Sequence, residues 1–355
     1  MPRLRFCMMG GWVPLAKSQA KVTGELATFG PVLAVAGRRN FPLMLRMTTF
    51  SPFRAALNLL AGAGLLFSAS CTAPRAIVST GKVTPRGEFR VGGNMAFNVP
   101  TETLGKTGTA LLDAAKAAAN KDTIRYNQSI ENIQVAALAY VLDPVRPTSD
   151  VYVRYGVIDR LDVGYKYGFG SHVFDAMYQF LGPTGTVENP GTRQPGATYG
   201  SIGLQFATQR AKLPSIPFLD NVTDFLNFRA SRQDILIPLV FSKSLGVEEE
   251  IGAISYGVVY AHSFFKYGFQ PQNLYNGVGS SLLPSLPTAK QNFSSFGAFF
   301  NAKLGYKYAY FIPALSVYYQ NYGEYQLLNN RTAKLSGLTF IPSLGLQFRI
   351  PGARR

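Results

Sequence analysis

Side chains able to do acid–base or nucleophilic chemistry are few in this chain. Its 355 residues include two histidines, His172 and His262, and two cysteines, Cys7 and Cys71. A serine hydrolase needs Ser and His within hydrogen-bond reach and a polar third member. His262 precedes Ser263, but neighbours on a strand point to opposite faces and cannot pair directly. His172 stands beside Ser171 in a turn, and a Ser–His pairing between different strands stays open. No HExxH, P-loop or EF-hand spacing occurs, so no metal or cofactor is expected. Glu248-Glu249-Glu250 reads as a solvated acidic turn rather than a cation site.

A second group is defined by where strand alternation puts it. Glu88, Arg90, Arg154, Asp162, Lys166 and Asp175 fall on the polar faces of four strands and are candidate lumen-lining residues. One reading of them is a lining selective for an ion or ligand. The plainer one is a network of salt bridges that closes a narrow interior.

The elements that carry these residues centre on Val151–Leu181. Leu161, Val163, Tyr165, Tyr167 and Phe169 share one face, opposite Asp162, Gly164, Lys166 and Gly168. The period of two gives an apolar, aromatic face and a polar or glycine face. The same alternation recurs at 86–99, 198–211, 233–243, 251–266, 293–306, 310–322 and 337–350, which makes ten strands in all. Several run past the 9–11 residues that cross a bilayer, and the polar face is small: Gly156, Gly203, Ser255, Gly257, Gly297, Ser316, Gly345. A soluble sandwich would need those positions large, whereas a membrane barrel turns the apolar face to lipid. Phe311-Ile312-Pro313-Ala314-Leu315 and Phe340-Ile341-Pro342-Ser343-Leu344 echo each other and suggest equivalent bends. The expected fold is all-β, an antiparallel up-and-down transmembrane barrel of about ten strands with a helical insertion after the first.

Composition agrees. Only 15% of residues are charged, low for a water-facing surface. Of the net charge of +16, +7 falls in residues 1–70 and the remaining +9 is dispersed beyond them with no basic run, so nucleic acid is not an expected partner. Residues 1–46 read as a leader or an over-extended start. Residues 47–70 have the basic start, apolar run and small-residue end of a signal peptide. Leu66-Phe67-Ser68-Ala69-Ser70-Cys71 is similar to a bacterial lipobox, with Ser68 where Leu is preferred. Cys71 is thus the expected lipidation site and 71–85 a tether to a barrel at 86–350. Within 100–149, Thr109–Lys121 reads as a helix and Ser129–Leu142 as helix or apolar strand. The whole insertion is expected as a plug or a cap.

From residue 66 to 350 the pattern resembles lipid-anchored outer-membrane β-barrel proteins of Gram-negative bacteria. That resemblance implies residence in the outer membrane, contact with its lipid and lipopolysaccharide, and insertion by the barrel-assembly machinery. It implies no enzyme: a narrow channel or transporter, or a surface structural protein. The alternative is an outer-membrane enzyme acting on lipid, as a lipase or a lipid A-modifying enzyme.

Overall fold

The computed structural model describes residues 73–106, 128–168, 170–211, 227–271, 275, 282 and 284–352. The leader, the signal segment, Cys71 and the helix expected at Thr109–Lys121 lie outside them.

Ten strands follow one another: β1 Phe89–Pro100, β2 Arg146–Ile158, β3 Leu161–Gly168, β4 Ser171–Leu181, β5 Thr198–Ala211, β6 Phe228–Leu245, β7 Gly252–Phe269, β8 Leu286–Tyr306, β9 Ala309–Gln326 and β10 Thr332–Ile350. Each pairs antiparallel with the next, and β10 closes on β1 from Phe89↔Ile350 to Pro100↔Thr339. The sheet is a closed up-and-down barrel without an edge, which is how strands can stand in hydrocarbon. No described helix is long and apolar enough to cross a membrane.

The faces follow the period of two. Val163, Val258, Leu315 and Leu346 point outward and are 42–55% exposed, amid a belt of outward Phe, Tyr, Ile and Leu. An apolar surface of that extent is matched to lipid. The inward set is buried and polar. The two echoing proline segments lie opposite each other in β9 and β10, with Pro313 facing Leu344 and Pro342 facing Leu315.

The connections sort the two ends. At one end lie the turns at 159–160, 246–251 and 307–308, the loop at 182–197 and the start of β1. At the other lie 101–145, 212–227 and 270–285, with tighter turns at 169–170 and 327–331. Short turns mark the periplasmic end of such barrels and long loops the outer end.

Two segments fill the interior. One is the helix α1, Gln128–Leu142, which settles the ambiguous stretch as helical. Its Ile130, Ile133, Leu138, Val141 and Leu142 pack inside the long-loop end against Phe265, Phe269, Phe293, Tyr322 and Tyr325. Its fifteen residues are too many for an average soluble strand, and Asp143-Pro144 ends it. The other is residues 73–85. Expected as a tether, they instead run inside the lumen without regular secondary structure, buried along most of their length.

Candidate functional site

The lumen segment runs the length of the barrel. At the long-loop end the backbone N–H of Ala73 donates to the side-chain oxygen of Gln209, near the end of β5. Further down, Tyr318 donates to the Arg75 carbonyl at 2.8 Å, and Asn301 donates to the Ser79 carbonyl at 3.1 Å. Then Gly81 N–H meets Ser242 Oγ at 3.0 Å, Val83 N–H meets Gln179 Oε1 at 3.2 Å, and Thr84 N–H meets Asp162 Oδ2 at 2.7 Å. These wall residues stand on different strands, so the segment is held from around the barrel rather than added as an eleventh strand. Its orphan backbone groups are met by inward Gln, Ser, Asn and Asp side chains. The chain turns at Gly87 (φ 79°) into β1.

The six candidate residues all face this interior, and each is buried. One inner-wall row runs through consecutive strands: Arg349, Arg90, Arg154, Gly164, Asp175, Gln205. Three adjacent arginines would repel each other, and each has its own counter-group. Arg154 pairs with Asp162 and reaches across β3 to Asp175. Gly164 makes that reach possible, because a Cβ there would lie 2.6 Å from Asp175 Oδ1. Arg90 donates to the Lys82 and Val83 carbonyls at 2.9 and 3.1 Å, clamping the lumen segment itself. Arg349 pairs with Glu88 and with Glu188 from the loop at 182–197. Lys166 faces Asp150, which accepts from Asn94 at 2.7 Å.

The acidic turn departs from expectation. Glu248 and Glu249 are 3% and 1% exposed, because left-handed backbone at both residues (φ 51° and 62°) aims their carboxylates into the barrel. Glu248 pairs with Lys82 and accepts from Tyr199 at 3.0 Å. Glu249 pairs with Lys303 at 2.9 Å and accepts from Thr80 at 3.2 Å. Burial pushes the Glu249 carboxyl up, but Lys303, Arg90 and Lys82 outweigh it and hold it below its ordinary range. Sequence reasoning missed Lys82, Glu248 and Glu249. The only available signal was that a run of three acids followed a strand end.

At the other end the helix and the segment meet. The Leu142 carbonyl, at the C-terminus of α1, accepts from Arg75 at 3.2 Å and from Arg232 of β6 at 2.7 Å. Cations there suit the negative end of a helix. Asp143 beside it accepts from Gln320 at 2.6 Å and Tyr322 at 2.9 Å. Among the described residues a cavity of about 30 Å³ lies in the lumen beside Lys82, Arg90 and Arg154, room for one or two water molecules. Among the described residues these groups form a network of ion pairs and hydrogen bonds that spans the lumen.

The histidines lie on the outer wall. His172 Nδ1 is 2.8 Å from Tyr165 OH. His262 Nδ1 is 3.1 Å from Ser294 Oγ on the next strand, a cross-strand contact that the sequence left open. Among the described residues no carboxylate or carboxamide bonds the His262 ring, so the third member of a hydrolase triad is not in place there. Cys71 lies outside the described residues.

No protein-family model matches the chain, and no curated protein is similar to it. Among solved structures it is similar to the outer membrane protein OprG from Pseudomonas aeruginosa. There the identity is 9% and the TM-score 0.27, over 76% of this chain and 99% of that one. It is also similar to the translocator domain of the autotransporter NalP from Neisseria meningitidis, again at 9% and 0.27, over 85% of this chain and 99% of that one. This chain's own ladder makes it a closed, all-antiparallel barrel of ten strands.

Proposed function

We propose that this protein is a self-plugged barrel of the Gram-negative outer membrane, with a structural rather than an enzymatic role. It holds its own N-terminal chain through the membrane and presents what precedes Ala73 at the outer face. The observation that carries the reading is the direction of residues 73–85. They enter at the long-loop end and leave at the short-turn end, anchored at both.

The barrel-assembly machinery inserts it, and lipopolysaccharide and outer-leaflet lipid surround its belt. The lipobox-like LFSASC motif makes Cys71 the lipid anchor. Cys71 stands two residues before Ala73, a reach of about 7 Å. Its acyl chains then enter the leaflet at the long-loop end, the outer one. A channel role would require both the lumen segment and α1 to leave.

The test is an epitope inserted directly before Ala73 and probed on intact cells. Antibody binding without permeabilisation is expected, with loss of labelled fatty acid in Cys71→Ala. An epitope reached only after the outer membrane is opened would overturn the reading.

A further inference from the structure

The outer wall of β7, β8 and β9 carries an arrangement that neither the plug nor the barrel needs. Lys266 and Lys290 are exposed and stand directly opposite each other in the β7–β8 register, near the long-loop end. Like charges so placed destabilise a sheet. Neither lysine has a counter-ion among the described residues. The next acid along the wall, Glu324 on β9, is in register with Lys334 of β10 instead.

Four residues deeper, about 13 Å along the strands, lies a polar row: His262 opposite Ser294, and Ser294 opposite Asn321. Ser294 Oγ is 3.1 Å from His262 Nδ1 and 3.0 Å from Tyr260 OH. The carboxamides of Asn292 and Asn321 are outward and bond to nothing among the described residues. Polar groups left without partners against hydrocarbon are costly. A shallow groove of about 410 Å³ runs beside this row, walled by Phe296 and Tyr319.

We propose that this face binds an anionic, phosphate-bearing membrane lipid. Lys266 and Lys290 take the phosphate. Asn292, two residues or about 7 Å below Lys290, meets the ester carbonyls, and Ser294 and Asn321 stand deeper, at the head of the acyl groove. The acyl chains continue down the groove past Phe296 and Tyr319. Charge complementarity selects the lipid, and the groove beneath the lysines takes acyl chains that a free ion lacks. The proposal rests on the wall facing lipid, so its test separates the two.

The test is electron spin resonance of the full chain in phosphatidylcholine vesicles doped with spin-labelled phosphatidic acid or spin-labelled phosphatidylcholine. A restricted component with the phosphatidylcholine label reports that the wall meets lipid at all. With the phosphatidic acid label we expect a larger component. The preference should fall roughly fivefold for each of Lys266→Gln and Lys290→Gln. In lipid-free detergent the same substitutions relieve repulsion and should raise the thermal midpoint. No restricted component with either label would overturn the membrane reading of the wall. Equal components for the two lipids, or a preference untouched by both substitutions, would overturn the lipid site alone.

Discussion

Arg75 donates to the carbonyl of Leu142 at 3.2 Å. Together with the Arg75–Asp143 ion pair at 3.8 Å, this bond joins the lumen segment to the end of the helix that fills the long-loop end of the barrel. Arg232 meets the same carbonyl from the wall. The two plugs are therefore one mechanical unit, tied at the C-terminus of α1 and latched at the far end by Lys82 on Glu248.

The far latch gives the first prediction. Lys82 and Glu248 are both buried, and removing one partner of such a pair leaves an unpaired charge that costs about 3–5 kcal/mol. Lys82→Ala or Glu248→Ala should loosen the segment and make Arg75 accessible to trypsin in the folded barrel. The double variant should cost less than the two single costs combined, measured by denaturant titration. Additive costs would mean that the two side chains do not act as a pair.

Gly156 gives a second. A Cβ at this position would stand 2.0 Å from the Pro85 carbonyl oxygen, where the segment turns out of the lumen. Gly156→Val should displace 84–88 while leaving the belt intact. Heat-modifiable mobility should persist, with proteolysis gained near Arg86. Protection of Arg86 equal to wild type would show that the close approach is not needed.

Much of this was legible in the sequence, and the limits have physical causes. Alternation assigned Asp162 inward and Val163 outward because a strand has one lipid face and one interior face. The same rule put Arg90, Arg154 and Asp175 inside. It could not place Ala73–Pro85, since a segment enclosed by the wall on all sides has no polar face to reveal a period. Glu248 and Glu249 were misread because the inward turn of their carboxylates is set by left-handed backbone, which their residue type does not announce. The helix α1 was ambiguous because its apolar residues meet aromatic walls on more than one side.

The faces themselves are open to a direct check. Val258 and Leu346 are each 55% exposed. Val258→Arg or Leu346→Arg at mid-membrane depth should cost about 2–4 kcal/mol, whereas Tyr308→Arg at the short-turn rim should cost about 0–1 kcal/mol. Refolding titrations into vesicles measure both. Equal costs would reverse the assignment of the wall.

Acid should act at the short-turn end. Burial opposes ionisation of Glu188, but its hydrogen bonds and attraction to Arg349 prevail and hold the carboxyl at about 2, against an ordinary 4.5. Glu249 is also held low. A carboxylate depressed in the folded state contributes stability above its unfolded value and loses it as pH falls through the folded one. The Glu188–Arg349 and Glu249–Lys303 pairs should therefore be intact above pH about 4.5 and weaken toward pH 2. The fraction of heat-modifiable barrel against pH should show a shallower acid loss in Glu188→Gln. A wild-type curve superimposable on that of Glu188→Gln would show that Glu188 carries none of the acid response.

Conductance across a planar bilayer tests the closed lumen most directly. The folded, heat-modifiable wild-type barrel should pass no single-channel current. A barrel that lacks Ala73–Thr84 and has a short turn in place of 101–145 should show discrete steps. Steady steps from the wild type, or silence from the folded double deletion, would contradict a lumen closed by these two segments.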